Sequence, residues 1–89
     1  MTANIKIYGS VQGVFFRRSA KEIADKLGLT GWVRNASDGS VEIMAVGPKD
    51  RLDKFVVWCK KGPPLAEVDK VEIDWVKKEE SFDGFEIIS

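Results

Sequence analysis

Ile5-Lys6-Ile7-Tyr8-Gly9-Ser10-Val11-Gln12-Gly13-Val14-Phe15-Phe16-Arg17-Arg18 holds the change of period that decides the fold. Ile5 to Tyr8 alternates with period two, the pattern of a half-buried strand, and Gly9 ends it. Gly9 to Gly13 reads as a loop with a glycine at each end. From Phe16 the apolar positions are Phe16, Ala20, Ile23, Ala24 and Leu27, which line one face of a helix, and Gly28 is a natural C-terminal stop. A strand therefore passes through a short glycine-bearing loop directly into a helix.

The rest of the chain extends that unit. Thr30 to Asn35, centred on Trp32 and Val33, reads as a second strand. Ala36-Ser37-Asp38-Gly39 is a hairpin signal, and Val41 to Val46 is the strand it returns into. Gly47-Pro48 breaks that strand, and Pro48 suits the first turn of a helix whose buried stripe is Leu52, Phe55, Val56 and Cys59. Gly62-Pro63-Pro64 stops this helix, and Val71 to Trp75 alternates as a fourth strand. A polar turn from Glu79 to Gly84 leads to a short last strand, Phe85 to Ile88. The order β-α-β-β-α-β plus a short fifth strand predicts an α+β, ferredoxin-like split β-α-β sandwich: an antiparallel sheet with two helices on one face. A right-handed crossover makes the first two strands parallel, with the third between them. The loop after the first strand and Asn35 at the end of the second then leave the sheet at the same edge.

Length and composition limit the function. With 89 residues the chain is expected to be one domain, 1–89. Its 14 basic and 14 acidic side chains cancel, which removes the broad attraction behind non-specific nucleic-acid binding. Cys59 is the single cysteine, so no internal disulfide can form. There is no histidine, which excludes a Ser-His-Asp triad, a Cys-His dyad and histidine metal sites. No signal-peptide pattern and no apolar run near the ~18 residues of a membrane span are present, so a cytoplasmic, membrane-free setting is expected. Side-chain amides are scarce: Asn4, Asn35 and Gln12 alone, two of them within glycine-containing stretches.

The Gly9–Arg18 stretch carries no negative charge and opens a helix. Glycines allow positive φ, so consecutive N–H groups can converge on one anion, and the helix N-terminus adds free N–H groups and positive dipole. Arg17 follows where its planar fork could reach two phosphate oxygens, whereas Arg18 lies about 100° further round and reads as solvated. The pattern is not the nucleotide P-loop, and a Gly-rich turn followed by Arg can also be a turn and nothing more. Asn35 taken singly is equally a turn residue. Placed beside the loop, its carboxamide offers a donor and an acceptor that do not titrate, suited to holding a water in line with phosphorus.

Val11-Gln12-Gly13-Val14-x-Phe16-Arg17 and Gly31-Trp32-Val33-Arg34-Asn35 resemble the two signature segments of acylphosphatases, and their spacing, the Asp38-Gly39 hairpin and Gly47-Pro48 fit as well. Ser10 departs from the basic residue often found there. The resemblance implies hydrolysis of the carboxyl-phosphate bond of small acyl phosphates without metal or cofactor. It implies Arg17 and Asn35 as catalytic residues, and a phosphate cradle of backbone N–H groups from Ser10, Val11, Gln12, Gly13, Val14, Phe15 and Phe16. Phosphate and sulfate are then inhibitory anions, and the expected state is a monomer with no nucleic-acid or membrane partner.

Other constellations offer less. Glu79, Glu80 and Asp83 lack calcium-loop spacing and read as a solvated turn. Lys60-Lys61 suits a helix C-terminus, and Trp32, Trp58 and Trp75 read as packing. The rival function for this fold is single-stranded RNA binding on the open sheet face, but Tyr8 is the only clear aromatic candidate on the first strand, and the third offers Glu42 and Met44 where an aromatic would be wanted.

Overall fold

The computed structural model describes residues 1–78 and 80–89; Glu79, placed by sequence in the polar turn, lies outside the described residues. The elements are β1 (Thr2–Ser10), α1 (Phe16–Lys26), β2 (Thr30–Asn35), β3 (Val41–Val46), α2 (Lys49–Lys61), β4 (Glu67–Val76) and β5 (Phe85–Ile87). Strands β2 and β3 have their predicted bounds, because the Asp38-Gly39 turn sets both ends of the hairpin. Strands β1 and β4 run longer than their alternation suggests because they pair with each other from Thr2↔Val76 to Ser10↔Glu67. Gly9 therefore belongs to β1 and not to the loop. It sits at a bulge with φ 130°, where a Cβ would collide with the Glu67 carbonyl. Pro48 is extended and precedes α2 as its N-cap, one residue earlier than its predicted place in the first turn.

The sheet order is β4-β1-β3-β2-β5. Its first four strands are antiparallel as expected, and β5 runs parallel to β2, which makes the whole sheet mixed. Both helices pack on one face. Ala3, Ile5 and Ile7 of β1, Val33 of β2 and Ile43 of β3 meet Phe16, Ala20 and Ala24 of α1 and Leu52, Phe55 and Cys59 of α2 in one buried cluster. Phe16 lies against Trp58 at 5.2 Å between ring centroids, and Phe55 meets Phe85 edge-on at 6.0 Å. Full burial of such a ring contributes about 1.5–3 kcal/mol, so Phe16 anchors the first turn of α1 against α2 and fixes where the helix begins.

Strand β3 decides the position of the site. Val41 faces Ile7 of β1 on one side and Asn35 of β2 on the other. Because β3 is antiparallel to both, β1 and β2 point the same way. The segment leaving β1 and the residue ending β2 thus emerge together, as the crossover rule requires.

Candidate active site

The segment between β1 and α1 has an unusual backbone. Gly13 has φ 73° and Phe15 φ 64°, both left-handed, while Val14 between them is not. Alternating handedness turns successive N–H groups to one side and forms an anion-binding concavity. Phe15 is the N-cap of α1, and no side chain caps the helix. The first amide of this turn to find an acceptor is Ser19, which donates to the Phe15 carbonyl at 3.0 Å. Among the described residues, the N–H groups of residues 12–18 have no protein acceptor. An uncapped helix start together with a free-amide loop is a strong local source of positive potential.

Arg17 and Asn35 meet at this point. Together with Val11, Gly13, Phe15, Phe16, Arg18 and Ile87 they line a cleft of about 320 Å³. Arg17 is half-buried and pairs with no carboxylate among the described residues. Arg18, read from sequence as solvated, also reaches the cleft but is tied to Glu22 at 3.7 Å on an exposed helix face. Asn35 donates its backbone N–H to the Ser89 carbonyl at 3.0 Å. Its side-chain Oδ1 is buried with no hydrogen-bond donor among the described residues. An unsatisfied buried acceptor is costly, and here it belongs to a residue that lines the same cleft as the unpaired Arg17.

Not every predicted loop residue lines the cleft. Ser10 ends β1 opposite Glu67, and Val14 packs against the core. The Gln12 side chain bridges to the β2–β3 hairpin, donating from Nε2 to the carbonyls of Ala36 at 2.8 Å and Ser40 at 2.9 Å. That hairpin is itself braced. The Ser40 hydroxyl and N–H both donate to Asp38, and Lys6 pairs with the same carboxylate at 3.1 Å. The Ser40 hydrogen bonds first, and then Lys6, hold the Asp38 carboxyl well below the usual range.

Three features of the site were not readable locally: the clamp made by the Gln12 side chain, the left-handed Phe15, and Ile87 on the cleft wall. The signal available for Gln12 is that it is the only glutamine in the chain and sits between loop and glycine. Ile87 comes from β5, whose parallel pairing with β2 (Val33↔Ile87) sets it two residues short of Asn35.

A second hollow, about 520 Å³, lies on the open sheet face between Lys6, Trp32 and Arg34 and the carboxylates of Glu42, Glu72 and Asp74. The Tyr8 hydroxyl donates to Glu72 at 2.9 Å, and Lys6 and Lys70 flank its ring. Acidic groups interleaved with the aromatics make this face a poor surface for a phosphate backbone. The cleft at Arg17 has no carboxylate, thiol or imidazole in its lining. Among the described residues, no three His, Cys, Asp or Glu side chains gather to hold a metal, and no helix is long and apolar enough to cross a membrane.

Comparison with known proteins gives the family. Residues 3–87 match the family model described as acylphosphatase. The chain is 51% identical over 87 residues to an acylphosphatase of Pyrobaculum islandicum, covering 97% of this chain and 92% of the relative. The crystal structure of acylphosphatase from Bacillus subtilis superposes with a TM-score of 0.96 at 39% identity, covering 99% of this chain and 98% of that one. An acylphosphatase structure from Coxiella burnetii gives 0.93 at 38% identity, over 98% and 90% of the two chains.

Proposed function

This chain belongs to the acylphosphatase family and is an enzyme that hydrolyses acyl phosphates, and from that premise we propose that the cleft between the residue 11–16 loop, Arg17 and Asn35 is where the reaction occurs. The phosphate group is held by the free amides of the loop and the first turn of α1, with Arg17 closing over two of its oxygens. Asn35 Oδ1 accepts a hydrogen bond from a water and sets it in line with phosphorus. The water oxygen bonds to phosphorus as the bond to the acyl oxygen breaks, giving a carboxylate and inorganic phosphate. The water's proton passes to a phosphate oxygen. Phosphoryl transfer of this kind needs positioning and charge stabilisation more than covalent help, and a carboxylate leaves without a strong general acid. The observation that carries this reading is that Asn35, whose buried Oδ1 has no donor among the described residues, lines the same cleft as the unpaired Arg17.

The domain, 1–89, acts alone in this proposal. One hydrophobic cluster serves every element, and the edge strand β4 carries Glu67, Asp69, Lys70, Glu72 and Asp74, charges that oppose edge-to-edge pairing. Inorganic phosphate and sulfate compete for the same amides. The decisive experiment is hydrolysis of an aromatic acyl phosphate followed by ultraviolet absorbance in wild type and Asn35→Ala. Loss of kcat with phosphate inhibition intact supports water positioning. Equal loss of turnover and phosphate affinity would assign Asn35 to holding the loop instead.

A further inference from the structure

We propose that Phe15 and Ile87 form an apolar lip that receives the acyl portion of the substrate, so that the enzyme favours acyl phosphates with an aromatic or bulky apolar acyl group over acetyl phosphate. The proposal rests on the phosphate position given above. Among the described residues Phe15 is the only one other than glycine with positive φ, a conformation that a Cβ disfavours. Phe15 is nevertheless 64% exposed, while its neighbour Phe16 is 2% exposed. Neither local backbone preference nor core packing explains a phenylalanine there. Its position does offer an explanation: as N-cap of α1 and a member of the cleft lining, it stands beside the amides proposed to hold the anion, where a group bonded to the phosphate can meet an exposed ring.

Ile87 faces the same cleft from β5 and is 42% exposed. Of the polar members of the lining, Arg17 and Asn35 are suited to the phosphate and the water, and Arg18 is tied to Glu22. The apolar wall can distinguish only the acyl group. A methyl group covers little of a phenyl ring, whereas a second ring can stack against it or meet its edge, a contact worth about a 3- to 10-fold change in binding.

The test measures kcat/KM for benzoyl phosphate and acetyl phosphate in wild type, Phe15→Ala, Phe15→Tyr and Ile87→Ala. The two leaving groups differ in acidity, so the readout is the change in the benzoyl-to-acetyl ratio and not the wild-type ratio itself. A loop distorted by substitution would scale both substrates together and leave the ratio in place. The expected result is a ratio lowered ~3- to 10-fold in Phe15→Ala, mainly through KM for benzoyl phosphate, and restored by Phe15→Tyr. Ile87→Ala lowers the ratio in the same direction and carries the test alone if Phe15→Ala does not fold. An unchanged ratio in the folded variants overturns the lip while leaving the phosphate site standing. Failure of wild type to hydrolyse either substrate overturns the phosphate site and the lip with it.

Discussion

Gln12 donates from its side-chain amide to the carbonyl of Ala36 at 2.8 Å, so the proposed phosphate loop is bonded to the residue that follows Asn35. A second bond from the same nitrogen reaches the Ser40 carbonyl at 2.9 Å. The anion cradle and the water-holding asparagine are thus joined by a side chain that does not itself line the cleft. Each neutral hydrogen bond of this kind contributes about 0.5–1.5 kcal/mol. Gln12→Ala should therefore lose about 1–2 kcal/mol of stability in urea denaturation. It should also lower kcat/KM by ~10-fold, since misplacement of positioned groups by a fraction of an ångström is costly. Gln12→Glu should be worse than alanine, because a carboxylate would face two carbonyl oxygens and repel the substrate. A Gln12→Glu variant with wild-type kinetics would show that the clamp has no part in positioning.

Arg17 supplies the only guanidinium in the cleft that is not tied to a carboxylate among the described residues. Arg17→Ala should reduce kcat/KM by at least ~10²-fold, as expected for loss of a charged transition-state donor. Arg17→Lys should recover little of it, because a point charge cannot reproduce the planar fork. Inhibition by inorganic phosphate should weaken in both variants, with unchanged far-ultraviolet circular dichroism. Near-normal turnover by folded Arg17→Ala would remove Arg17 from the mechanism.

The cleft offers no group that titrates near neutrality. Guanidinium groups do not deprotonate in proteins, carboxamides do not ionise, and the chain has no histidine. The kcat profile should run level from pH 6 to 8 with no bell. Any acid limb should shift when the acyl phosphate is changed, because it belongs to the substrate. With no carboxylate, thiol or imidazole in the lining, a chelator should leave the rate unchanged. An inflection in that range common to several substrates would identify an ionising side chain in the reaction.

Cys59 is fully buried in α2, and burial pushes its thiol far above the ordinary range. In the unfolded chain it ionises near pH 8.5. Above that pH the folded state keeps a proton that the unfolded state has lost, so stability falls as pH rises, by about 1.4 kcal/mol per unit for one such group. Below pH 8 both states hold the proton and no dependence arises from this group. Urea unfolding at pH 8.0 and 9.5 should show a steeper loss for wild type than for Cys59→Ala, by about 1 kcal/mol over the interval. Equal losses would mean that the thiol is reached by solvent in the folded state.

The strand–loop–helix order of the first segment, the Phe16 start of α1 and both ends of the β2–β3 hairpin were determined by the sequence, because side-chain period and turn chemistry act over a few residues. The meeting of the loop with Asn35 followed from the order of elements, since handedness leaves one arrangement. Other features depended on partners distant in the chain. The outer residues of β1 and β4 are strand only because each supplies the other's hydrogen bonds, and nothing local marks those ends. The parallel seating of β5 against β2 gave the cleft Ile87. The acceptors of Gln12 lie 24 and 28 residues further along, so its role exists only once the crossover has brought the hairpin to the loop. Phe15 adopts a left-handed backbone that its residue type disfavours, held between Gly13 and a helix start anchored by Phe16. Local patterns report what a residue prefers, whereas the site consists of residues held where the assembled sheet and helices leave them.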